Sequence, residues 1–177
     1  MKKIVTVILI LILMPICCFA GFNIEEAPLN TGLLMLQEGS TEGYYKYINA
    51  RFGFSIDFPK DLNYVFMLPE NGDGIRVGKK DESAVLTVSG GHNVFSTEYY
   101  KEEYAEEAAR LNCAYSVLGN DYYILSYADG DYIFHRKVFF NSEYVSSFTF
   151  RYLKEQHKKY EEVTEKIENS FQAGSKI

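Results

Sequence analysis

The sequence predicts an α+β domain, an antiparallel sheet packed against helices as a sandwich. Three observations carry this. Short segments with period-two alternation recur between turn signals, as half-buried strands require. Two other segments repeat apolar residues at helical spacing. Finally, the strands are separated by hairpin signals and not by helical crossovers, which excludes a doubly wound parallel sheet.

Residues 21–43 show no sustained periodicity and read as an extended linker, with Leu33-Leu34-Met35-Leu36 as a short docking segment. The domain proper is expected over 44–172, with a frayed tail at 173–177. Residues 44–49 form the first strand. The next stretch organises the chain: Phe52, Phe54, Ile56 and Phe58 alternate with Gly53, Ser55 and Asp57, which gives one buried face. Pro59 ends it by removing a ladder donor. Residues 63–68 continue in extended form. Asn71-Gly72-Asp73-Gly74 is a tight turn, because Asn, Asp and Gly tolerate positive φ.

Residues 75–78 and 84–89 follow as strands, the second apolar enough for a central place. Gly90-Gly91 is expected to break the pattern. Ser96 or Thr97 then caps a helix over 98–112. Tyr100, Tyr104, Ala108 and Leu111 share one face of it, while Glu102, Glu103, Glu106 and Glu107 face solvent. Strands over 114–118, 122–128, 131–140 and 144–153 alternate with Gly119-Asn120-Asp121, Asp129-Gly130 and Asn141-Ser142-Glu143. A last helix over 155–171 spaces Tyr160, Val163, Ile167 and Phe171 for burial on the sheet.

The chain start bears on location. Lys2 and Lys3 precede an uncharged, mostly aliphatic run that ends in Cys18-Phe19-Ala20, the layout of a secretory signal peptide over 1–20, with cleavage between Ala20 and Gly21. The expected location is therefore the periplasm or the medium. Two alternatives remain open: acylation at Cys17 or Cys18, which Met14-Pro15-Ile16 fits badly, and a retained helix just long enough to span a bilayer. Contact with a membrane is expected only through such an N-terminal anchor. Past residue 20 only Cys113 remains, so packing and not an intramolecular disulfide must hold the fold. The net charge of −6 argues against nucleic-acid binding.

The order Y-I-N-A-R-F-G-F-S-I-D-F-P from Tyr47, E-N-G-D-G from Glu70 and the closing Tyr160-x-x-Val163-x-x-x-Ile167-x-x-Ser170-Phe171 resembles small exported bacterial proteins of unassigned function. At fold level the chain is similar to the Mog1/PsbP-like group, an antiparallel sheet packed between helices. The resemblance implies a non-catalytic binding or assembly subunit. It supplies no catalytic motif and no site residue.

Candidate chemistry is sparse. Asn71 and Asp73, with Asp57 and Glu70, suggest a cation site, but the alternate-position ligand rhythm of a calcium loop is absent, so a structural turn is the better reading. His92, His135 and His157 lack zinc-ligand spacing. His92 follows two glycines and is placed in a loop at a groove, and His135 on the exposed face of its strand. No G-x-S-x-G elbow and no phosphate loop occurs. The chain does carry 15 Tyr and 13 Phe. Adjacent pairs such as Tyr122-Tyr123 must turn one ring outward on a strand. Tyr122 and Tyr132 are the candidate anchors, since exposed Tyr offers large contact area at low entropic cost. The expectation is an exported binding or assembly domain, without cofactor, that uses an aromatic sheet face for an unknown protein or envelope component. A ligand or metal carrier using Asn71, Asp73 and His92 is the alternative, and a hydrolase without recognisable motif a weaker one.

Overall fold

The computed structural model describes residues 27–29, 34 and 36–174. The signal segment over 1–20 and the Ala20–Gly21 cleavage position lie outside the described residues, as does half of the docking segment. Two of its residues are described, and both belong to the core: Leu34 is buried and Leu36 packs beside it.

The strands are β1 (Ala27–Pro28), β2 (Gln37–Glu38), β3 (Tyr44–Ile48), β4 (Ser55–Pro59), β5 (Tyr64–Met67), β6 (Gly74–Gly78), β7 (Ala84–His92), β8 (Tyr115–Leu118), β9 (Tyr122–Asp129), β10 (Tyr132–Phe140) and β11 (Tyr144–Leu153). The helices are α1 (Thr97–Leu111) and α2 (His157–Ser170). They build an α+β sandwich. One antiparallel sheet has the order β1-β5-β6-β7-β11-β10-β9-β8, and a smaller one has the order β2-β3-β4. β1 and β2 fall inside the stretch that reads as a linker, and they add short edge strands to β5 and β3. Among the described residues no helix is long and apolar enough to cross a membrane.

Alternation decides what lies on each face. Phe54, just before β4, and Ile56 and Phe58 within it turn onto the inner face of the large sheet, against Val77, Leu86, Val88, Phe148 and Phe150. α2 completes this layer with Tyr160, Ile167 and Phe171. The small sheet therefore packs on the large one instead of joining it. Contrary to expectation, β7 runs through Gly90-Gly91 without a break. The reason is steric: a Cβ on Gly90 would sit 2.5 Å from the Phe54 ring, so glycine lets the two sheets approach.

On the outer face, α1 covers only the half formed by β8, β9 and β10. Ser96 Oγ accepts from Tyr99 N and caps the helix. Tyr100 stacks on Phe140 with ring centroids 4.6 Å apart, over Tyr123, Leu125 and Val138. Two of the four glutamates expected in solvent are drawn inward. Glu103 accepts from the Tyr123 hydroxyl at 3.0 Å, and Glu107 accepts from Arg136 at 2.7 Å. Burial pushes the Tyr123 phenol well above its ordinary pKa.

His135 corrects the sequence reading, because it is buried and not exposed. It shares the inner face with Ile133 and Lys137, and its Nε2 lies 2.8 Å from Glu168 Oε2 on α2. Lys137 Nζ reaches the other oxygen at 3.4 Å. The His135 hydrogen bond holds the Glu168 carboxyl below its ordinary range, against the opposing pull of burial.

Candidate functional site

The outer half that α1 leaves open is spanned by β5, β6, β7, β11 and the first half of β10. Antiparallel register sets its rows. Arg76 of β6 stands beside Thr87 of β7, Thr87 beside Thr149 of β11, and Thr149 beside Arg136 of β10. One row further along, Gly78, Val85, Arg151, Phe134 and Tyr127 follow one another across five strands. Two arginines thus flank two threonines, and a third arginine stands in the next row.

The guanidinium groups are laid on aromatic rings. Arg76 sits 5.3 Å from the centroid of Phe66, Arg151 4.7 Å from that of Tyr132, and Arg136 5.6 Å from that of Tyr123. Phe66 itself lies over Gly78, where a Cβ would meet the ring at 3.0 Å. Tyr127 and Phe134 stack almost flat, with centroids 5.1 Å apart. Glu82, in the turn between β6 and β7, accepts from Arg76 at 3.0 Å and pairs with Arg151 as well. Beyond Arg76 the face runs into a shallow apolar notch lined by Met67, Pro69, Gly74 and Thr87.

Ion pairs at this exposure add little to folding, on the order of 0–1 kcal/mol each. A guanidinium has five N–H donors in a rigid fork, and Glu82 and Glu107 engage only part of that capacity. Thr87, between Arg76 and Thr149, is exposed. This set offers forked donors to a planar acceptor group.

The sequence-derived candidates separate. Tyr132 stands on this face under Arg151. Tyr122 has the opposite parity on β9 and packs on the inner side against Phe139, with Lys137 over its ring at 5.3 Å. Asn71 and Asp73 close a turn at the end of the sandwich. Arg51 donates to Asp73 Oδ1 and to the Asn71 carbonyl, both at 2.6 Å, and Asn71 Nδ2 also bonds Asp73. The turn is pinned to the small sheet by Asn49 Nδ2, which donates to the Gly72 carbonyl at 2.8 Å. His92 ends β7 at the same pole, beside Phe52 and Tyr144 at 5.4 and 5.5 Å. Asp57, offered with Asn71 and Asp73 as a cation site, instead points out of the small sheet beside Lys46. Among the described residues no three His, Cys, Asp or Glu side chains are gathered as metal ligands. Cys113 is half-buried, and burial followed by the charge of Glu107 pushes its thiol pKa up.

Arg76, Arg136 and Arg151 escape the sequence reading. The available signal was an arginine at an alternating position in each of three strands, flanked by apolar or aromatic residues at Arg76 and Arg151. Its meaning depends on which strands become neighbours.

No protein-family model matches this chain, and no curated protein does. Among solved structures the chain is similar to the solution structure of cyanobacterial PsbP (CyanoP) from Synechocystis sp. PCC 6803. The TM-score is 0.49 and the identity 11%, with 77% of this chain and 97% of that chain covered. The chain therefore shares a loose, fold-level likeness with PsbP-like proteins, and no residue is carried over from it.

Proposed function

We propose that the chain is an exported, non-enzymatic binding domain, and that the open half of its large sheet docks a protein segment presenting carboxylates beside apolar side chains. One observation carries the reading. Arg76 and Arg151, two of the five arginines of a chain with net charge −6, stand on the open half, each against an aromatic ring, while Arg136 stands at its border, where Glu107 of α1 binds it. Arginine and the large aromatics are the residue types that dominate binding energy at protein interfaces. Carboxylates match the guanidinium fork, and the notch beside Met67 suits an apolar anchor. The export part of the reading rests on the basic and then aliphatic chain start.

The test compares capture from an envelope fraction by the wild-type chain, by Arg76→Ala/Arg151→Ala and by Tyr132→Ala. Capture of a discrete partner by the wild type, lost in both variants while the melting temperature holds, is the expected result. Equal capture by all three would remove this face from the function.

A further inference from the structure

A second site lies on the opposite side of the molecule, on the outer surface of the small sheet. There β3, β4, the turn after β2 and the end of α2 enclose a pocket of about 290 Å³. The residues that line it are all polar or charged, Ser40, Thr41, Lys46, Asp57, Lys166 and Asn169 among them. Asp57 forms the floor, and its side chain is only 3% exposed.

This carboxylate is held from three directions. Its Oδ2 accepts from Ser40 N at 2.6 Å, its backbone N donates to Ser170 Oγ at 2.9 Å, and its cross-strand neighbour is Lys46. Its Oδ1 is closed to solvent and accepts no hydrogen bond among the described residues. Lys46 Nζ stands 3.8 Å from it, which is charge contact without a hydrogen bond. A buried carboxylate oxygen without a donor is costly, and native folds rarely keep one without a use. Lys166, across the pocket, is paired with the exposed Glu162 at 2.7 Å.

The charges choose the ligand class. A cation alone meets two ammonium groups at the walls, and an anion alone meets Asp57 at the floor. A ligand with both signs satisfies each. We propose that the pocket binds a small zwitterion of the amino-acid class: its ammonium takes the place of Lys46 at Asp57 Oδ1, and its carboxylate pairs with the released Lys46 and with Lys166. Lys46 is suited to the exchange because a flexible stem holds it near Asp57 without a hydrogen bond. The side chains of Ser40, Thr41 and Asn169 supply further donors and acceptors at the rim.

The full chain, purified in mild detergent, is titrated with a panel of free L-amino acids, with acetate and ethylammonium as single-charge probes, and thermal stability is followed. At least one amino acid should raise the melting temperature saturably, as binding to the folded state requires, with either single-charge probe at least about tenfold weaker. Lys166→Met should weaken that binding by about tenfold or more, and Asp57→Asn should abolish it. Because Asp57→Asn also takes the charge from the bond that Ser40 N donates, Lys166→Met is the decisive variant, and circular dichroism checks that it folds. Three results would overturn the proposal. One is no stabilisation by any amino acid at about 10 mM, where even millimolar affinity registers. Another is acetate binding as tightly as the amino acids, which makes the pocket a simple anion site. The last is unchanged binding in a folded Lys166→Met.

Discussion

The two halves of the outer sheet face share strands and differ in every other respect. Under α1 the outward residues are Tyr123, Leu125, Val138 and Phe140, all buried. On the open half they are Arg76, Thr87, Thr149 and Arg151, continuing into Phe66, Tyr132 and Phe134. β10 contributes to both, with Val138 and Phe140 at one end and Tyr132 and Phe134 at the other. A half meant only to meet water needs no rings, and in the covered half the one guanidinium group, that of Arg136, is taken up by Glu107 of α1. The open half has both kinds of group, the composition on which the proposed docking role rests.

Substitutions can break this contrast, beginning where burial is deepest. Phe140→Ala empties the stacking site of Tyr100 beneath α1 and should cost about 3–5 kcal/mol, seen as a drop in the denaturant midpoint at unchanged slope. Loss of the Ser96 cap by Ser96→Ala should cost about 1 kcal/mol and raise amide exchange in the first turn of α1, which loosens the cover without touching the core beneath.

A third substitution supplies a reference on the inner face. The Glu168 carboxyl is held below its ordinary value of 4.5, so the folded chain binds fewer protons there than the unfolded chain. Its contribution is therefore present above pH 4.5 and lost as pH falls through the folded value. Acid titrations of stability should show a shallower decline in Glu168→Gln than in the wild type, and the open half should have no part in that difference. The smallest effect on folding belongs to Arg76→Ala/Arg151→Ala. It should shift stability by about 1 kcal/mol or less, because the ion pairs to Glu82 are solvent-screened. A loss of several kcal/mol would instead make the arginines structural.

How much of this was legible in the sequence follows from the range of each signal. The face of α1 and the turn at Asn71 to Gly74 are local patterns, and the structure places them as read. The alternation from Phe52 to Phe58 points its apolar residues to the core as read, but Ser55 and Asp57 on the other side are buried as well. Gly90-Gly91 misled because the same dipeptide serves a turn or a close sheet-to-sheet approach, and only the Phe54 ring decides between them. The burial of His135 was hidden because either face of β10 carries large residues, and its inward side is fixed by α2, which lies far along the chain. The arginine row is non-local in the same way. Arg76 and Arg136 share a row only because β7 and β11 intervene. Asp57 read as one possible ligand, with Asn71, Asp73 and Glu70, of a cation site. It became the floor of a pocket once the turn after β2 and the last turn of α2 closed around it.

The most direct measurement places a photo-activated cross-linking residue at one of two exposed positions, Thr87 at the centre of the open half or Ala105 on the solvent side of α1, in cells that make the full chain. A discrete adduct from position 87 that disappears when Arg76→Ala/Arg151→Ala is added, with none from position 105, is the result expected of a docking face. Adducts from position 105 alone, or an adduct from position 87 that survives the loss of both arginines, would contradict it.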